Sequence, residues 1–235
     1  MQKFKPFSIL FLCVFIAQIF ALITQNQPLV YVTKPLITIT LLMGLIRSDQ
    51  LYGKFRKRIA IGLIFAFFGD VFLMVDQFSP IFFKLGLFSF LGCHICYILA
   101  FNLDMRSAPK HRNKYFLISS IVLAIFTGGF FMYLRPGLGM LQIPVLLYCF
   151  VLAIMVMLSI GRWGKVSVTG ARLMTVGALL FMFSDSFLAY CMFVVHVTNS
   201  HIVVMSTYMM AQYFIVLGTI YRTLTLSNEE VSLEG

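Results

Sequence analysis

The sequence predicts an all-α fold, a polytopic membrane bundle of about eight transmembrane helices with both termini cytoplasmic. Three observations carry that expectation. The 235-residue chain is 60% hydrophobic and 11% charged, where a soluble domain carries about a quarter charged residues. Its mean hydropathy is +0.95. Its apolar residues fall in stretches near the length that crosses a bilayer, separated by connections too tight for a soluble domain. Residues 1–235 therefore read as one transmembrane domain, ending in a flexible acidic tail over 224–235.

The spans follow in order. The first, 6–24, has a basic start in Lys3 and Lys5. Its apolar run is longer than a signal-peptide core, and no small-residue cleavage site follows, so it reads as a helix that stays in the membrane. The second, 34–46, opens on "KPL". A residue before proline is pushed out of helix, which leaves Lys34 outside and Pro35 in the first turn. A lysine at such an N-terminus suits an anion, or snorkels to the interface as an anchor. The third, 59–75, follows the basic cluster Lys54, Arg56, Lys57, Arg58 and contains Asp70.

The fourth, 81–103, carries Gly86, Ser89 and Gly92, small residues that let a neighbouring helix approach. It also carries His94 and Tyr97, which share a face at i, i+3. The fifth and sixth are 115–134 and 142–160. The seventh, 170–195, contains Asp185. The eighth, 202–222, carries Tyr208 and Gln212 at i, i+4.

Lysine and arginine set the direction. With the N-terminus inside, 15 of the 18 basic residues fall on cytoplasmic segments, and Lys34, Lys84 and Arg135 remain outside. The net charge of +10 thus reads as topology signal and inner-leaflet contact rather than nucleic-acid binding. The five cysteines lie inside apolar runs and behave as small hydrophobes. Cys93 and Cys96 have no second pair to complete a zinc site. Only His94 among the histidines lies deep in a span, so no three-histidine metal site is expected, and no cofactor.

Of eight acidic residues, Asp70 and Asp185 alone lie within spans. An ionisable group there costs several kcal/mol without partners and marks a functional site by default. The two share a frame, Phe68-x-Asp70-x-Phe72-Leu73 and Phe183-x-Asp185-x-Phe187-Leu188. Both sit on helices running outward, the third and the seventh, which suggests a four-plus-four parallel repeat. "KPL" (34–36) against "IPV" (143–145) supports the same alignment.

"KPL", "FFGDVFLM", "GLFSFLGCHICYILAF", "GALLFMFSDSFLA" and "MSTYMMAQYFI", in that order from Lys34 to about Gly218, resemble the lysoplasmalogenase (YhhN-like) family. The resemblance implies hydrolysis of the vinyl ether bond of a lysophospholipid, releasing a fatty aldehyde and glycerophosphoethanolamine or glycerophosphocholine. It implies Asp70 and Asp185 as the catalytic pair.

The chemistry is compatible. Opening a vinyl ether needs a proton donor, an anion for the oxocarbenium ion, and an activated water, which two carboxylates supply in glycosidases. Two acids held close in a medium that resists charge share a proton, leaving one neutral and one anionic. Asp185 is expected as the acid and Asp70 as the anion. His94, Tyr97, Tyr208 and Gln212 are expected to hold the carboxylates and water, and Lys34 to meet the phosphate. A proton-coupled transporter using the same aspartates is the alternative. The absence of an N-x-[ST] acceptor leans towards a bacterial inner membrane over the endoplasmic reticulum.

Overall fold

A computed structural model describes residues 5–48, 53–107 and 114–224. Eight helices occupy them: α1 (Lys5–Ile23), α2 (Gln27–Arg47), α3 (Lys54–Met74), α4 (Pro80–Ser107), α5 (Lys114–Leu134), α6 (Gln142–Gly161), α7 (Val168–Phe193) and α8 (Ser200–Ile220). No strand occurs among the described residues. The fold class is therefore as expected, and most span boundaries agree to within a turn. The acidic tail expected to be flexible lies outside the described residues from residue 225 onward. Leu224 makes an isolated bridge with Val166.

Seven helices are long and apolar enough to cross a membrane; α3 is the eighth. Its basic first turns and Asp70 dilute an apolar segment that is among the two shortest in the sequence. Lipid-facing surface is plain on the periphery. Leu117, Ile118, Ile121, Val122 and Ile125 of α5 are all exposed, as are Ile9, Leu12, Ile16 and Phe20 of α1. Apolar belts of this extent are the surface that hydrocarbon solvates and water does not.

The largest departure from the sequence reading is at the start of α2. Helix α2 begins at Gln27, seven residues before Lys34. Asn26 caps it, its side chain accepting from Leu29 N–H at 3.2 Å, and Pro28 occupies the first turn. The two signals assigned to Lys34–Pro35 are thus met one pair of turns earlier. Pro35 lies inside the helix, where it removes one backbone hydrogen bond. Lys34 is accordingly not at a helix N-terminus. It sits on the inward face of α2 with its side chain 12% exposed.

The helices pack as two matching sets of four. α1 packs on α2 as α5 does on α6, α2 on α3 as α6 on α7, and α3 on α4 as α7 on α8; α2 meets α8 as α6 meets α4. The most extensive pairs are α3–α4 and α7–α8, and small residues make them so. A Cβ on Gly86 would lie 2.7 Å from Leu73, and one on Gly92 would lie 2.9 Å from Phe65. Gly62 and Gly177 each stand eight residues before the aspartate of their half. A Cβ on Gly177 would meet the backbone of α8, 2.8 Å from the Ala211 carbonyl oxygen and 3.0 Å from Ile215 N.

Backbone does not yield as a side-chain tip does. Gly177→Val should therefore cost about 1–3 kcal/mol, read as a lower unfolding midpoint in detergent. An unchanged midpoint would contradict this close α7–α8 contact.

The two ends of the bundle differ. At one end Asp104, near the end of α4, is fully buried and holds two arginines. Arg162, following α6, donates Nε–H to Asp104 Oδ2 at 2.7 Å. Arg222, following α8, donates Nε–H to Oδ1 at 2.8 Å and also through Nη2. The Arg162 guanidinium lies 4.9 Å from the Phe101 ring centroid, and that of Arg222 lies 4.2 Å from Phe55. Asp104 lies just past the span expected for α4, 81–103. The other end carries the starts of α2, α4, α6 and α8 and the ends of α3, α5 and α7, and it is open.

Candidate active site

A cavity of about 300 Å³ enters the bundle from that open end. Its walls are mostly apolar, with Leu87, Phe90, Leu152, Val204 and Met205 among them. Asp70 and Asp185 both line it. The frames that match in sequence thus deliver two carboxylates to one space, because α3 and α7 run the same way in their respective halves.

Asp70 on α3 is almost completely buried, its side chain 2% exposed. Its Oδ2 accepts the Tyr208 hydroxyl of α8 at 2.7 Å and the Thr38 hydroxyl of α2 at 3.3 Å. Its Oδ1 faces Lys34 Nζ of α2 at 3.7 Å. Lys34 and Thr38 are i, i+4 and so share one face of α2. Both oxygens of Asp70 are therefore engaged.

Asp185 on α7 is held differently. Its Oδ2 accepts the Tyr148 hydroxyl of α6 at 2.6 Å and lies 3.1 Å from His94 Nε2 of α4. His94 Nε2 is also 2.9 Å from the Tyr148 oxygen. Among the described residues no hydrogen bond reaches Asp185 Oδ1. The repeat shows here too: α2 and α8 supply the partners of Asp70, while α6 and α4 supply those of Asp185.

Aromatic rings separate the two sets of partners. Phe181 is fully buried, with its ring 4.6 Å from that of His94 and 5.4 Å from that of Tyr208, edge-on to both. Phe90 meets Tyr208 and Phe181 in the same manner. These contacts fix the His94 ring plane and the Tyr208 hydroxyl direction, because a packed ring has few rotamers to exchange into.

Four of the seven residues singled out from sequence thus meet at the cavity, Asp70, Asp185, Lys34 and Tyr208, and a fifth, His94, is buried behind Asp185. Tyr97 and Gln212 do not touch either carboxylate. The Tyr97 hydroxyl donates to Gln212 Oε1 at 2.6 Å, in the core. They lie one turn beyond His94 and Tyr208 along α4 and α8, away from the open end, so their helical faces match but their depth does not. Both are fully buried, and they tie α4 to α8 beneath the site.

Tyr148 and Thr38 were not singled out from sequence. Tyr148 stands alone in "IPVLLYCFVL", and a phenol hydroxyl in hydrocarbon needs a partner. That was a usable signal. Thr38 offered none, since a threonine within a span commonly bonds its own helix.

The arrangement distinguishes the two acids chemically. Asp70 stands beside the Lys34 side chain, with both of its oxygens engaged. Asp185 stands beside the His94 imidazole, and its second oxygen has no hydrogen-bond partner among the described residues. Among the described residues no three His, Cys, Asp or Glu side chains gather as a metal-binding group.

Comparison with known proteins adds a family. The model of the YhhN family matches residues 29–219, which include every residue of this site. No solved structure matches the chain.

Proposed function

The chain belongs to the YhhN family, a lysoplasmalogenase-like family of membrane proteins, and from that premise we propose that it hydrolyses the vinyl ether bond of lysoplasmalogens. The products are a fatty aldehyde and glycerophosphoethanolamine or glycerophosphocholine. The observation that carries this reading is the pair of carboxylates lining one cavity, Asp70 3.7 Å from Lys34 Nζ and Asp185 3.1 Å from His94 Nε2.

In this reading Asp185 is the acid. It gives a proton from Oδ1 to the vinyl carbon remote from oxygen, and positive charge develops on the carbon bonded to the ether oxygen. Asp70, as the carboxylate beside Lys34, stabilises that oxocarbenium ion and then orients the attacking water. Water adds to the cationic carbon and loses a proton to a carboxylate. The hemiacetal then collapses, releasing the aldehyde while the glycerol oxygen takes a proton. Charge develops as in glycosidases, where two carboxylates serve the same roles.

The apolar walls suit the alkenyl chain. The mouth carries Asp76, Ser200 and His201, polar groups where the headgroup would lie. The sequence expectation gave Lys34 to the phosphate; the 3.7 Å contact favours Asp70 as its first partner. The distribution of basic residues supports an outward-facing mouth with both termini inside. No metal or organic cofactor enters the reaction, and a bacterial inner membrane suits the topology.

The transporter alternative uses the same acids. The buried Asp104 cluster at the other end of the bundle favours the enzyme, since it leaves the cavity open on one side. Purified protein in detergent, with no gradient, should release aldehyde from an alkenyl lysophospholipid and leave the matching acyl ester intact. Wild-type protein that forms no aldehyde from either headgroup would overturn the proposal. Asp70→Asn should lower turnover about 10²-fold with the fold retained, measured in the same assay. Undiminished turnover would remove Asp70 from the mechanism.

A further inference from the structure

We propose that Tyr148 is the positioning residue that pins Asp185 and reserves its Oδ1 for the reacting carbon. This inference rests on the reading of Asp185 as the acid, but its geometry stands apart from the identity of the substrate.

Tyr148, His94 and Asp185 form a closed triangle, and the Tyr148 hydroxyl makes its shortest contact. It donates to Asp185 Oδ2 at 2.6 Å and lies 2.9 Å from His94 Nε2. A hydroxyl whose proton is given to the carboxylate has only lone pairs left. It therefore accepts from His94, which carries its proton on Nε2. His94 Nδ1 is buried without a partner, so the Nε2–H tautomer leaves no N–H unsatisfied. One hydroxyl thus sets the carboxylate's orientation and the imidazole's tautomer together.

Pinning matters because of what it leaves free. A carboxylate rotating about its Cβ–Cγ bond presents either oxygen to the cavity. With Oδ2 fixed by Tyr148 and His94, only Oδ1 is presented, and it has no protein partner among the described residues. Asp70 has the same kind of tyrosine anchor in Tyr208, yet its second oxygen is taken by Lys34. The two tyrosines are alike, and the partner of the remaining oxygen assigns the roles. Orientation of this kind is worth much more in a transition state than in substrate binding.

The test is Tyr148→Phe, which removes one oxygen atom and keeps the ring. Turnover should fall about 10–100-fold, as expected for a lost hydrogen bond to a charged group, with KM within about twofold of wild type. A rise in KM with kcat retained would make Tyr148 a substrate contact and overturn the proposal, as would unchanged turnover.

A second readout needs no substrate. The carboxyl band that Asp185→Asn removes from the infrared difference spectrum should move in Tyr148→Phe. A band at its wild-type position would overturn the proposal even if the vinyl ether reaction is correct. Absence of aldehyde from wild-type protein, with the band moved, would sink the substrate assignment alone. Should Tyr148→Phe fail to fold, 3-fluorotyrosine incorporated at position 148 keeps the hydroxyl and shape. The same band must then shift, and a stationary band again refutes the assignment.

Discussion

Asp185→Asn should reduce aldehyde release about 10⁴-fold, the upper range for loss of a general acid, while the protein purifies and unfolds as wild type does. Asparagine is nearly isosteric with aspartate. Its amide oxygen still accepts the Tyr148 hydroxyl, so the contact that holds the side chain is kept. What disappears is a transferable proton on Oδ1, the oxygen without a hydrogen-bond partner among the described residues. His94 does not replace it, because its Nε2 is directed at Tyr148 and Asp185 Oδ2. The measurement is aldehyde formed per folded molecule, with the unfolding midpoint recorded on the same preparation. Turnover within a factor of a few of wild type would remove Asp185 from the chemistry. Asp70→Asn is expected to be milder, since it removes an anion that stabilises charge without supplying the proton.

The contrast between the two variants is also where sequence reasoning reached its limit. The matched frames around Asp70 and Asp185 were legible because charge inside an apolar run is rare and has few explanations. The depth of His94 and Tyr208 was legible for the same reason. The asymmetry between the acids was not, because it lies in partners contributed by α2, α4, α6 and α8, and one-dimensional spacing does not say which helices adjoin. Tyr97 and Gln212 show the complementary error. Sharing a helical face with a site residue gives direction but not depth, and one turn moved both out of reach of the carboxylates. Lys34–Pro35 failed on a competition between two proline signals. Asn26 and Pro28 start α2 earlier, since a capped start and a first-turn proline stabilise a terminus there, and the helix tolerates Pro35 inside a packed bundle.

The least legible feature was Asp104, and it underlies the largest expected effect on stability. An aspartate near the end of a span has a ready explanation in solvent and drew no attention. Folding instead brings the ends of α4, α6 and α8 together, burying Asp104 and Arg162 completely, with Arg222 largely covered. Asp104→Ala then leaves Arg162 as a buried cation whose only carboxylate partner among the described residues is gone. Breaking a buried pair on one side costs about 3–5 kcal/mol, which for a chain of this size lowers the unfolding midpoint by roughly 10 °C. The loss arises from the charge left behind rather than from the strength of the pair. Asp104→Leu combined with Arg162→Met should therefore recover much of it, since two apolar side chains need no partner. Arg222 stays partly exposed in that double variant, so its charge remains accessible to water. Thermal unfolding in detergent, followed by circular dichroism, measures all three proteins. Because the cluster lies at the opposite end of the bundle from the cavity, the folded fraction of each should keep its aldehyde turnover. A single variant as stable as wild type, or a double variant less stable than Asp104→Ala, would show that the buried charges do not hold the three helix ends together.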